Sequence, residues 1–243
     1  MSSQVIYGSF ARQDNDLFSD KDIGIFCDEL SEVNNELTIL TNEGWSCAVY
    51  TYERFQNMAD LGLLFVQHIK QDGIVIFDEN NKLKAILNKF TPKHTYNAEI
   101  GVALELINII PGIAIDINCI FWALDIVAVA IRNFCIAYFA NKKIFVFSTH
   151  KLYGMLSKYF SLTDNDYNTL CYLRNAKYIY RNKKFTHADL DKNLSFFLYL
   201  NGLLNKLRIK HRFDICTKSN FMDSVKNMIL QKKAISKRRI FRI

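Results

Sequence analysis

Val5-Ile6-Tyr7-Gly8-Ser9-Phe10-Ala11-Arg12, followed by Ser19-Asp20-Lys21-Asp22-Ile23-Gly24-Ile25, is the stretch on which the reading of this chain turns. A short apolar run stops at Gly8-Ser9, as a strand does on meeting a turn, and Ile23 to Cys27 forms a second strand. Gly8 lets the backbone come close to a phosphate, and Ser9 opens a helix whose unpaired N–H groups favour an anion. Asp20 and Asp22, two apart at the start of a strand, point to one face, so both carboxylates can hold one cation. Hard carboxylate oxygens suit Mg²⁺, which fills its remaining positions with water and substrate phosphate. A phosphate cradle beside a magnesium clamp is the minimum equipment for moving a nucleotidyl group from an NTP.

Outward from this stretch, strands and helices alternate. Leu30, Val33, Leu37 and Leu40 have helical spacing from Asp28 to about Asn42. Cys47 to Tyr50 reads as a third strand, closed by Thr51, which caps a helix running through Phe55 and Met58. Leu63 to Lys70 is helical, and Gly73 to Phe77 is another strand. This alternation predicts a small α/β sheet domain. After Phe90-Thr91-Pro92 the periodicity is almost wholly helical: roughly 95–116 with a break at Pro111, 117–140, 149–160, 164–182, 187–210 and 219–234. The expected fold class is therefore α+β: a small mixed-sheet domain over 1–92, then a helical bundle over 93–243 with a basic C-terminal tail.

Charge divides along the same line. Residues 1–93 carry 8 Lys/Arg against 14 Asp/Glu, and residues 94–243 carry 23 against 10. The second part suits a polyanion such as RNA. With half the 243 residues hydrophobic and only two prolines, the chain is neither disordered nor low in complexity. The six cysteines include no Cys-x-x-Cys pair and no zinc-finger spacing, which points to free thiols in a reducing compartment. Met1-Ser2-Ser3-Gln4 lacks the basic and apolar regions of a signal peptide, so a cytoplasmic location is expected. The apolar stretch from Leu106 to Ile131 is interrupted by Pro111, Asp116 and Asp125, and is expected as a buried helix pair and not a membrane span.

The quoted stretch resembles the DNA polymerase beta-like nucleotidyltransferase superfamily, in particular its minimal nucleotidyltransferases, whose signature is Gly-Ser, ten residues, Asp-x-Asp. The run Leu64-Phe65-Val66-Gln67-His68-Ile69-Lys70-Gln71-Asp72-Gly73-Ile74-Val75-Ile76-Phe77-Asp78 looks like the helix-Gly-strand end of such domains. The likeness covers roughly residues 4–80. It implies a Mg²⁺-dependent enzyme transferring NMP, above all AMP from ATP, to an acceptor hydroxyl on RNA or protein. In that reading Gly8 and Ser9 hold the β- and γ-phosphates, Arg12 reaches the triphosphate, and Asp20 and Asp22 bind the metal. Members of the family also carry a third carboxylate on the next strand. Here Ala48, Ser46 or Tyr50 occupies its place, and Glu53 falls on the following helix. That departure leaves two outcomes: a reduced site completed by substrate, or a degenerate one that senses nucleotide or binds RNA without turnover.

Helical domains of the HEPN type accompany minimal nucleotidyltransferases, some as ribonucleases with an Arg-x(4–6)-His motif. Arg181 and His187, with five residues between them, have that spacing, with His as general base or acid and Arg steadying the phosphate. Leu170, Leu173, Ala176 and Ile179 mark a packed helix, and His68 is expected to be structural. The tail from Gln231 to Ile243 carries six basic residues and no acid, a composition able to neutralise several phosphates.

Overall fold

A computed structural model of the chain describes residues 2–17, 19–109 and 120–181. It is a mixed α+β structure that divides into two compact units, Met1–Tyr96 with Phe139–Ser148, and Asn97–Tyr138 with the residues from Thr149 onward. The expected helices over 187–210 and 219–234, the break at Pro111, His187 and the basic tail lie outside the described residues.

The first unit is built on a four-stranded sheet in the order β3-β2-β1-β4. Its strands are β1 (Ser2–Tyr7), β2 (Lys21–Cys27), β3 (Trp45–Thr51) and β4 (Ile74–Asp78). β1 runs antiparallel to both β2 and β4, while β2 and β3 are parallel. The β2–β3 crossover therefore needs a helix, and residues 28–42 supply it. The helical spacing expected there resolves into a 3₁₀ turn, Leu30–Val33, and a separate α2 (Asn34–Asn42). Leu30 is exposed, whereas Val33 and Leu40 pack with Ile25, Cys27 and Val49 on this face of the sheet.

The other face carries the larger core. α3 (Tyr52–Asp60), α4 (Leu64–Asp72) and α5 (Lys82–Lys89) bring Phe55, Val66, Ile69, Leu83 and Ile86 against Val5 and Phe26. Thr51 caps α3 as its sequence position predicts, its hydroxyl accepting from the Arg54 N–H at 3.2 Å. Gly73 ends α4, and a Cβ there would fall 2.4 Å from the Ile69 carbonyl oxygen, so only glycine allows the chain to turn directly into β4. β4 is one of the two edge strands, and Ile74, Val75, Ile76 and Phe77 are all about half exposed on it.

The sequence reading omitted α5. It is only eight residues long and follows Asn80 and Asn81, both in the left-handed region at φ 57° and 54°. Asp78 supplies what propensity does not: its carboxylate accepts from the N–H groups of Leu83 and Lys84 at 3.0 and 2.9 Å.

The second unit contains α6 (Asn97–Ile109), most of α7 (Ile120–Asn141), α8 (Thr149–Phe160) and α9 (Asp164–Arg181). All four coincide closely with helices expected from periodicity. Phe134 on α7 lies 6.2 Å from Phe160 on α8 at 68°, an edge-to-face contact, and Leu170 and Leu173 of α9 are fully buried. The side chains of Ala176 and Ile179 lie outside the description. The segment Leu124–Asn141 is long and apolar enough to cross a membrane by length and composition, and 61% of it is buried within the protein. Cys27 and Cys135 are buried free thiols and Cys47 is half-buried, while Cys171 is exposed.

Candidate functional site

The sheet brings the two halves of the sequence signature together. Tyr7, the last residue of β1, pairs with Asp22, so Gly8 leaves the sheet beside that carboxylate. The contact is close: a Cβ on Gly8 would lie 2.7 Å from Asp22 Oδ2. Gly8 also sits at φ +76°, a conformation side chains other than glycine rarely adopt. Two separate constraints thus require glycine at this point. From here the chain enters α1 (Gly8–Ala11), a single turn with no capping side chain.

The ten-residue interval closes by local bonds. The Asp14 N–H donates to the Ser9 carbonyl at 3.0 Å, and Gln13 turns the chain at φ 58°. Asp16 and Ser19 then bond reciprocally, the Asp16 N–H donating to Ser19 Oγ at 2.9 Å and that hydroxyl donating to Asp16 Oδ1 at 3.0 Å. Asp20 follows, exposed, immediately before β2 begins, and Asp22 is half-buried within the strand. Lys21, between them, alternates away and lies 5.9 Å from the centre of the Trp45 ring.

The β2–β3 register decides what stands beside the acids. Asp22 is opposite Ser46, Gly24 opposite Ala48, and Phe26 opposite Tyr50. Of the three residues considered for the place of a third carboxylate, Ser46 is the neighbour of Asp22. Glu53 is on the first turn of α3, which begins where β3 ends, opposite the Cys27 end of β2. Five residues of strand place it about 16 Å or more from Asp22. Among the described residues, no group of three or more His, Cys, Asp and Glu side chains gathers as a metal site. Asp20 and Asp22 are two carboxylates at the end where β2 begins, a donor set of the chemistry Mg²⁺ takes, which would leave most of its shell to water and substrate oxygens.

Arg12 has neighbours that its sequence position did not announce. Its Nη1 donates to Asp72 Oδ2 at 3.0 Å and lies 3.1 Å from His68 Nε2, while its Nε donates to Asp14 at 3.3 Å. His68 is buried and stacks on Phe147 at 4.3 Å and 18°, in keeping with a structural histidine. Asp72 was not singled out in the sequence. The only signal for it is its spacing four residues after His68 on one helix face, which pairs the two side chains at 3.5 Å. Arg181 ends α9, and His187 lies beyond the described residues, so the spacing expected of a ribonuclease motif has no geometry to set beside it.

No protein-family model matches this chain, and no curated protein matches it.

Proposed function

We propose that the chain is a Mg²⁺-dependent nucleotidyltransferase of the polymerase beta-like kind, moving AMP from ATP to an acceptor hydroxyl. The observation that carries this reading is the meeting of Gly8 and Asp22, a glycine required by both φ and space against a carboxylate. Gly8 and Ser9 would hold the β- and γ-phosphates, and Asp20 and Asp22 would hold the ion, which when bound neutralises charge on the triphosphate. The acceptor hydroxyl loses its proton to water as its oxygen bonds to the α-phosphorus. The bond from that phosphorus to the bridging oxygen breaks, and pyrophosphate leaves. RNA suits the acceptor because residues 94–243 carry a balance of +13.

A second reading has its own support. Ser46, Ala48 and Tyr50 offer no carboxylate on the strand beside Asp22, as in a site that binds nucleotide without turning it over. One experiment separates the two. Wild type and Asp20→Asn are incubated with α-labelled ATP, Mg²⁺ and cellular RNA or lysate, and bound ATP, labelled product and pyrophosphate are all measured. Transfer by wild type, falling at least about a hundredfold in Asp20→Asn, supports the enzyme. Binding of ATP with no pyrophosphate release supports the sensor. Absence of binding in both proteins removes the nucleotide reading altogether.

A further inference from the structure

The corner at Gly8-Ser9 is held from both sides by one face of α4. Tyr7, immediately before it, meets the Phe65 ring edge-on at 5.6 Å and the His68 ring edge-on at 5.6 Å. Arg12, four residues after Gly8, bonds to Asp72 and contacts His68. Phe65, His68 and Asp72 recur at the spacing of a single helical stripe. α1, only four residues long, lacks a capping side chain, and a helix of one turn does not hold itself in place. Its position therefore depends on what grips its two ends.

The grip is largely out of water. The side chains of Asp72 and His68 are only 8% and 9% exposed, and that of Arg12 is 17% exposed. An ion pair in such a setting is costly to break from one side, and the loss of Asp72 leaves Arg12 only the more exposed Asp14, at 3.2 Å. Arginine offers only donors, so the 3.1 Å contact takes His68 Nε2 as its acceptor, and the 3.5 Å between that nitrogen and Asp72 Oδ2 is then proximity and not a hydrogen bond. Phe147 stacks on the imidazole and fixes the plane in which that acceptor lies.

We propose that Asp72 is a positioning residue for the Gly8-Ser9 corner, acting through Arg12 with His68 as the second acceptor. Through this clasp α4 sets the place of the corner relative to Asp22. The proposed role of Arg12 is accordingly to anchor the corner and not to touch the phosphates. The consequence for nucleotide affinity rests on the reading under Proposed function; the mechanical role does not.

The test uses the full chain as wild type, Asp72→Asn, Arg12→Gln and the double variant, with two readouts. Amide hydrogen exchange is expected to quicken about tenfold or more at residues 9–14 in each single variant, with Ile23–Cys27 and Cys47–Tyr50 unchanged. Titration with Mg²⁺-ATP is expected to show Kd raised about tenfold in each single variant and little further in the double variant, since both remove the Arg12–Asp72 contact. Unchanged exchange at residues 9–14 would overturn the proposal, as would equal acceleration across the whole sheet or multiplied losses in the double variant. A loss of affinity in Arg12→Gln far beyond that in Asp72→Asn, with no greater acceleration of exchange at residues 9–14, would also overturn it, by making Arg12 a direct phosphate ligand. If wild type binds no Mg²⁺-ATP, the nucleotide reading falls and the exchange pattern alone decides for or against the clasp.

Discussion

Asp22 and Asp78 stand at opposite ends of one sheet and project from the same face, because their partners on β1, Tyr7 and Ser3, are four residues apart. About 13 Å of strand separates two quite different fates for a carboxylate. Asp78 is absorbed by the fold: it caps α5 with both oxygens and accepts the Ser3 hydroxyl at 2.7 Å, and Ser3 Oγ also lies 2.5 Å from the Tyr52 hydroxyl. Asp22 meets a glycine whose missing side chain leaves room for its oxygen, at the end where β1 stops and α1 begins. One acid meets the backbone's need for acceptors; the other lies against the glycine at which the chain leaves the sheet.

Gly8→Ala tests the Asp22 end most severely and carries the largest expected effect. The new Cβ would press on Asp22 Oδ2 at 2.7 Å and force a positive φ on alanine. Relief requires the corner and the carboxylate to separate. Affinity for Mg²⁺-ATP, measured by calorimetry, is expected to fall about a hundredfold or more, while stability falls by about 1–3 kcal/mol. A variant binding as tightly as wild type would break the comparison, because the closeness of Gly8 and Asp22 would then have no bearing on the ligand.

Asp78→Ala should show the reverse pattern at the other end. It removes the acceptor for two helix N–H groups and one for the fully buried Ser3, which is expected to cost about 2–3 kcal/mol in urea unfolding. The folded fraction should bind Mg²⁺-ATP as wild type does. A large loss of affinity with little loss of stability would mean that the two carboxylates had been assigned the wrong way round.

The sequence shows the Asp22 end far better than the Asp78 end, for a physical reason. Short apolar runs at Val5–Tyr7, Ile23–Cys27 and Cys47–Tyr50 and 3.6-period runs at 149–160 and 164–181 are local signals, and the structure has elements there. The meeting of Gly8 with Asp22 is also legible, since the two lie only fourteen residues apart, at the adjoining ends of neighbouring strands. α5 is not legible, because its start is fixed by Asp78 and its burial by Phe90, Leu83 and Ile86 packing on a sheet assembled from distant residues. The Arg12–Asp72 pair spans 60 residues and has no local trace. The β2–β3 register is equally non-local, so Ser46, Ala48 and Tyr50 stay equivalent until the strands are paired.

A third carboxylate, in the other unit, gives the smallest expected effect and extends the comparison to an acid with no such role. Glu105 is buried on α6, and burial raises its pKa above the ordinary carboxylate value. The folded chain therefore holds this proton more tightly than the unfolded chain does. Its contribution to stability is fully present below the unfolded carboxylate range and is lost as pH rises through the higher folded value. Glutamine cannot ionise, so Glu105→Gln should unfold at nearly the wild-type temperature at about pH 4 and a few degrees above it at about pH 8. Thermal unfolding at the two pH values checks this. If the variant gains nothing at the higher pH, a partner compensates the Glu105 charge in the folded chain, and the acid belongs with Asp78 among those that the fold uses.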